Sequence, residues 1–195
     1  MEIKDLIAEF KNFVPKKECE HFINWFWENE DLHHNGMVYN PNDPLTNVNF
    51  DKKIAIQAYP KKEDPISDLI TKIIFSGYFE YSKNYPCPND NLCASSYSVR
   101  VYKKGVGKFD LHTDQSPGQN ISRLFAMILY LNTVNEGGET EFPEIGYKCA
   151  PEQGKLLIFP CNYLFKHQGN IPLSDDKYII TSFINYCELS SQQQS

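Results

Sequence analysis

The sequence predicts an α+β protein in which N-terminal helices pack on a β-sandwich or jelly roll built from the second half of the chain. Two observations carry this. Residues 15–29 and a segment opening at Asp64 place apolar side chains at helical spacing, whereas from Ser95 onward the texture changes to β-branched and aromatic runs separated by glycine and proline. Size bounds the answer: 195 residues, 41% hydrophobic and 14% aromatic, suffice for one substantial core and leave little room for a second. The expected organisation is a single domain over 1–195, with the jelly-roll core at about 95–187 and a disordered polar tail over 188–195.

The first element is ambiguous, because Ile3, Leu6, Ile7 and Phe10 suit a helix while Phe10–Val14 could close as a strand. Residues 15–29 read as a packing helix on Cys19, Phe22, Ile23 and Phe26, with Trp25 and Trp27 adding bulk on neighbouring faces. Residues 33–63 are rich in Asn, Pro and Asp, with one apolar alternation at Ile54, Ile56 and Ala58. Strands joined by long loops are expected there, and loops of that length often contact substrate. Asp64 is a good N-cap, Pro65 suits the first helical position, and Ile66, Leu69, Ile70, Ile73 and Ile74 share one face. Strands are then expected at Tyr97–Tyr102, Leu124–Leu131, Lys155–Phe159 and Tyr178–Tyr186. Gly105 and Gly107, Gly137-Gly138, and Pro151 with Gly154 punctuate the three connections.

A net charge of -6 argues against general attraction to nucleic acid or anionic membranes. Met1–Asp5 mixes charged with apolar residues and contains no signal-like apolar stretch, so a cytoplasmic protein without a membrane span is expected. The six cysteines (Cys19, Cys87, Cys93, Cys149, Cys161 and Cys187) are expected to be thiols. Cys87 and Cys93 flank a turn that could form half of a redox or zinc site, but no second half exists elsewhere.

One constellation points to a reaction. His112-Thr113-Asp114 is followed by His167 and then by Lys177. Two imidazoles and one carboxylate form the ligand set that holds ferrous iron on one face and leaves the other open. In an extended strand, His112 and Asp114 project to the same side and can grip one ion, provided His167 arrives from another strand. The other histidines, His21, His33 and His34, fall on a helix or at a loop edge and read as ordinary exposed or packed imidazoles. Alternation places Lys177, Ile179, Thr181 and Phe183 on one face. If that face is the inner one, either Lys177 ends in solvent or an anion must meet it. Tyr102 and Tyr130 lie near the ends of strands beside these residues, and spacing alone does not separate a site role from a core role.

The segments Tyr102…Gly105…Gly107…Phe109…His112-Thr113-Asp114, Tyr130-Leu131-Asn132, Gly137-Gly138-Glu139-Thr140-Glu141-Phe142-Pro143, Pro151…Gly154…Phe159, His167 and Lys177 occur in an order that resembles the prolyl 4-hydroxylase branch of the 2-oxoglutarate and Fe(II)-dependent oxygenases. Phe13-Val14-Pro15 with Cys19 is similar more loosely to the family's entry into its first helix. The resemblance implies a double-stranded β-helix fold and assigns His112, Asp114 and His167 to the iron. It assigns Lys177 to the distal carboxylate of 2-oxoglutarate with help from Tyr130. Tyr102 would lie near the metal-chelating end, and Thr181 would line the pocket beside Lys177. It further implies use of O2, conversion of 2-oxoglutarate to succinate and CO2, and ascorbate to keep the iron ferrous. Because Asp114 is retained, hydroxylation is expected rather than halogenation.

A prolyl residue in a peptide or protein is the leading substrate, while a small molecule remains open. Lys103, Lys104 and Lys108 could greet an acidic substrate. Some relatives carry arginine where Lys177 stands, and lysine gives a point charge rather than a bidentate fork. Residues 33–63 match no pattern of the family, which leaves their role as a substrate lid open. The competing class is a non-catalytic, cupin-like metal-bearing module that recognises peptide or sugar. Such a module would have no use for an inward lysine.

Overall fold

A computed structural model describes residues 2–36, 38–39, 48–49, 51–85, 87–89, 91–116 and 120–187. The expected disordered tail, 188–195, lies outside the described residues, as do residues 37, 40–47 and 50 of the segment whose role as a lid the sequence leaves open. In chain order the elements are β1 (Ala8–Phe10), α1 (Lys16–Glu28), β2 (His34–Asn35), β3 (Val38–Tyr39), β4 (Val48–Asn49), β5 (Lys53–Ile54), β6 (Ile56–Ala58), α2 (Pro65–Ser82), β7 (Leu92–Tyr102), β8 (Lys108–His112), β9 (Arg123–Tyr130), β10 (Thr140–Phe142), β11 (Tyr147–Cys149), β12 (Leu156–Pro160), β13 (His167–Gly169) and β14 (Lys177–Tyr186). The larger sheet runs β1-β12-β9-β14-β7-β6-β2 and the smaller β11-β10-β13-β8-β5, and their paired strands are antiparallel. This is the double-stranded β-helix expected of the chain.

Period-2 alternation decides which side chains meet which layer. On β14, Ile180 and Ile184 join the cluster made with the two helices, whereas Ile179 and Phe183 join the cluster between the sheets. On β9, Met127 and Leu129 face the helices, and Ala126, Ile128 and Tyr130 face the smaller sheet. Helix α1 covers the outer side with Cys19, Phe22, Trp25 and Phe26. The burial of Phe22 and Phe26 contributes roughly 1.5–3 kcal/mol each. Helix α2 buries Ile66, Ile70 and Ile74 one turn apart, with Leu69 and Ile73 packed at its margin. It opens at Pro65 as expected, although the Asp64 carboxylate accepts from the Lys61 amide rather than from the helix. No helix among the described residues is long and apolar enough to cross a membrane.

The ambiguous start resolves into a 3-10 turn at Ile3–Leu6 followed by β1, which pairs with β12. This outcome depends on a partner strand about 150 residues away, so local periodicity could not decide it. The entry into α1 is pinned to the β-core where the Val14 amide donates to the Gly154 carbonyl at 3.1 Å. Gly154 has φ +78°, and a Cβ there would lie 2.2 Å from the Val14 carbonyl oxygen. Gly154→Ala is therefore expected to destabilise the fold by roughly 1–3 kcal/mol from the backbone conformation alone, with the clash adding to it. A thermal melt of the variant checks this, and an unchanged midpoint would refute it.

Candidate active site

The two sheets enclose a cavity of about 450 Å³, its open mouth included, a size suited to a small ligand. His112, Asp114 and His167 converge on it, their donor atoms all within 4.8 Å of one another. The register explains the convergence. His112 ends β8, and its partner across the ladder on β13 is His167, so the two imidazoles are neighbours by strand pairing. The ladder shifts between His167 and Gly169, and the chain leaves the strand after His112. Asp114 therefore stands just beyond the strand rather than within it, while its carboxylate still lies 3.7 Å from His112 Nε2 and 3.6 Å from His167 Nε2.

Both imidazoles are oriented from behind. His112 Nδ1 lies 2.8 Å from the Asp110 carbonyl and His167 Nδ1 3.1 Å from the Phe165 carbonyl. A carbonyl only accepts, so each Nδ1 carries the proton and each Nε2 offers a lone pair toward the shared point. Phe109 stacks on His112 with centroids 3.6 Å apart, and Phe159 meets the edge of His167 at 4.7 Å, which fixes both rings. Burial, reinforced by the neighbouring His167, pushes His112 down to about 3, so its imidazole is neutral at ordinary pH. Neutral imidazole is the form that binds metal.

Deeper in the cavity, Lys177 is only 2% exposed. Its Nζ donates to the Gly138 carbonyl at 2.8 Å, sits 4.7 Å from the centroid of the Tyr102 ring, and forms no ion pair among the described residues. Burial pushes this ammonium down to about 8. Thr181 lies farther along the same face, beyond Ile179, and its buried Oγ1 has no hydrogen-bond partner among the described residues. Tyr102 lines the cavity, and burial raises its phenol above the ordinary range. Tyr130 stands behind the cavity wall: its hydroxyl donates to Thr140 Oγ1 at 2.7 Å, and Thr140 is the residue that lines the cavity there.

The structure also brings forward residues that the sequence reading passed over. Arg100 lines the cavity from the inward face of β7, two residues before Tyr102. A charged residue alternating with Val99 and Val101 was the available signal. Arg123 Nη1 donates to the Asp114 carbonyl at 3.1 Å, and its guanidinium covers the Phe183 ring at 3.7 Å. Lys53, 5% exposed, reaches to 5.1 Å from the Phe109 centroid and donates to Gln57 Oε1 at 2.7 Å. The lysines expected to greet an acidic substrate are placed differently: Lys103 pairs with Asp176 and Lys108 with Asp110, each at 2.8 Å. His21, His33 and His34 stand apart from the cavity. The six cysteines are free thiols.

A jelly roll that carries two histidines, one carboxylate and a buried cation around one cavity is the arrangement an iron-dependent oxygenase using a 2-oxo acid requires. The family model described as "2OG-Fe(II) oxygenase superfamily" matches residues 97–185, the span that carries His112, Asp114, His167 and Lys177, and supports a 2-oxoglutarate-dependent dioxygenase. Its fold is shared with solved prolyl hydroxylases. The viral collagen prolyl hydroxylase of Paramecium Bursaria Chlorella virus-1, solved with 2OG, superposes with a TM-score of 0.67 at 20% identity, over 92% of this chain and 95% of that one. A Pseudomonas putida prolyl-4-hydroxylase gives 0.66 at 12% identity over 92% of each chain. The Trichoplax adhaerens prolyl hydroxylase, in complex with a hypoxia inducible factor oxygen degradation domain peptide fragment, gives 0.70 at 18% identity over 96% and 88%. No curated protein matches the sequence.

Proposed function

We propose that the protein hydroxylates an unactivated C–H bond of a prolyl residue in a peptide or protein. One oxygen atom of O2 would enter the new hydroxyl and the other would enter succinate as 2-oxoglutarate loses CO2. The observation that carries this reading is the convergence of the His112, Asp114 and His167 donor atoms at a cavity that also holds a buried lysine with no ion pair among the described residues. Bound there, iron and 2-oxoglutarate would supply the oxidising chemistry.

The donor set fits the metal. His112 and His167 each direct an Nε2 lone pair inward, and Asp114 adds the one negative charge. The cavity fits the cosubstrate as well. Lys177 is the cation for its distal carboxylate, and the free Thr181 Oγ1 is a hydrogen-bond complement for a polar atom in the same cavity. Tyr102 forms one wall beside Lys177, and Tyr130 acts on the cosubstrate through Thr140. Phe109 and Phe183 line the cavity and keep water from the reacting carbon. Ascorbate as reductant, a cytoplasmic location and a single domain spanning 1–195 complete the reading. The peptide-bound Trichoplax relative supports a peptide substrate.

The test is a peptide-library reaction with Fe(II), 2-oxoglutarate and O2, read by mass spectrometry for succinate and for addition of one oxygen to a prolyl residue. Succinate without oxygen on any peptide would overturn the peptide assignment, and failure to bind 2-oxoglutarate would overturn the whole reading. The position of Lys177 sets a pH dependence. Cosubstrate needs the protonated ammonium, so with a redox-silent metal bound its affinity should be level below pH 8 and fall about tenfold per unit above it. Calorimetric titrations between pH 7 and 9.5 check this, and a flat profile across that range would remove Lys177 from the role.

A further inference from the structure

The cavity and its rim hold more positive charge than the proposed reaction uses. Among the described residues, Arg100 and Lys177 line it against the carboxylate of Asp114, with Arg123 and the Lys53 amine close enough to feel the same charges. A divalent cation and a dicarboxylate would cancel one another, and Lys177 would balance Asp114. Arg100 and Arg123 are then left without an ion pair among the described residues, and Lys53 stands beside them as an amine that an anion would protonate. The surplus is specific to this place, because Lys103 and Lys108 nearby are each held by a carboxylate.

Arg100 is the best placed of the three. It projects from the inward face of β7 opposite Ile179, and its Nε donates to the neutral hydroxyl of Ser98 at 3.1 Å. Lys53 is buried, and among the described residues its Nζ donates to the neutral amide of Gln57, which in turn donates to the Tyr59 hydroxyl at 2.7 Å. Arg123 is partly committed, to the Asp114 carbonyl and the Phe183 ring. Arg100 and Arg123 are partly buried, and taking a cation out of water without an anion is costly, so an arrangement of this kind is stabilised when a ligand brings the anion. Burial pushes Lys53 down to about 6, helped by Arg100 and Arg123 and opposed by Asp114, so the amine is largely neutral at ordinary pH and an anion bound beside it would favour its ammonium form.

We propose that Arg100, with Lys53 in electrostatic reach of it, recognises a carboxylate on the substrate beside the carbon that is hydroxylated. The inference rests on the proposed function for the reaction and adds the substrate class: an acidic one. The carboxylate can come from an Asp or Glu side chain flanking the target residue or from a terminal or free carboxylate, and the test separates these sources.

The protein, loaded with Mn(II) and 2-oxoglutarate so that no turnover occurs, is titrated with fluorescent proline peptides flanked by Asp or Glu, by Asn or Gln, or by Lys. A second arm compares peptides ending in proline, with free or amidated carboxyl groups, and free L-proline against its amide. Acidic peptides are expected to bind about tenfold or more tightly than their amide counterparts, with the gap narrowing as salt rises. Arg100→Gln should close the gap, and Arg100→Glu should turn it toward Lys-flanked peptides. Preference for the free carboxyl in the second arm, with no flank effect in the first, assigns the carboxylate to a terminus.

Equal binding of acid and amide in both arms overturns the inference, as does a gap that survives in folded Arg100→Gln. If the Arg100 variants do not fold, the wild-type comparison and Lys53→Met decide it by the same gap. Intact 2-oxoglutarate binding without acid discrimination sinks this inference alone, whereas loss of 2-oxoglutarate binding in the native protein sinks the proposed function.

Discussion

Asp114→Ala is expected to abolish metal-dependent turnover while leaving the fold intact. Asp114 is the one carboxylate among the three convergent donors, so its removal leaves two imidazoles and no negative charge facing a divalent ion. The loss should exceed the roughly 10–100-fold that removing a group merely supporting a ligand costs. The carboxylate stands beyond the end of β8 and packs in no apolar cluster, so the change removes charge without opening a core cavity. Metal content after dialysis, succinate formation and a circular dichroism spectrum check the three parts together. A variant that kept both its metal and its turnover would show that the donor set lies elsewhere.

Lys177→Met is expected to act in opposite directions on binding and on stability. Losing a buried charge partner costs about 2–5 kcal/mol, which would weaken 2-oxoglutarate by about 30-fold to several thousandfold. The protein without cosubstrate should gain stability. Burial lowers the Lys177 ammonium from 10.5 to about 8, so below pH 8 the folded state carries the full cost of a disfavoured charge, and that cost disappears as pH rises through 10.5. The cost is on the order of 3 kcal/mol. Methionine of similar length removes it, at the expense of the hydrogen bond to Gly138. Calorimetry for 2-oxoglutarate and thermal melts at pH 7 measure the two effects. Destabilisation with unchanged affinity would make Lys177 a structural residue.

Much of this was legible in the sequence, for identifiable reasons. On β14 the two faces of the strand face different layers, so alternation alone grouped Lys177 with Ile179, Thr181 and Phe183. Helix α2 could be placed from Pro65 and the isoleucine spacing, because both signals are local. The pairing of His112 with His167 was not legible, since it depends on a ladder between β8 and β13, strands of five and three residues. Lys53 was hidden for the same reason: its burial comes from β5 joining β8 at Phe109, and by sequence it is one of two lysines beside a loop. Tyr130 shows the limit of reading roles by position, because its hydroxyl is used by Thr140 before it reaches the cavity.

His112, Asp114, His167 and Lys177 are expected to bind metal and cosubstrate as one unit. The direct measurement is an anaerobic titration of 2-oxoglutarate into the protein with and without Fe(II), repeated for Asp114→Ala and Lys177→Met. The expected result is saturable one-to-one binding that requires the metal and is lost or greatly weakened in both variants. Absence of binding to the native protein, or binding that neither substitution disturbs, would contradict it.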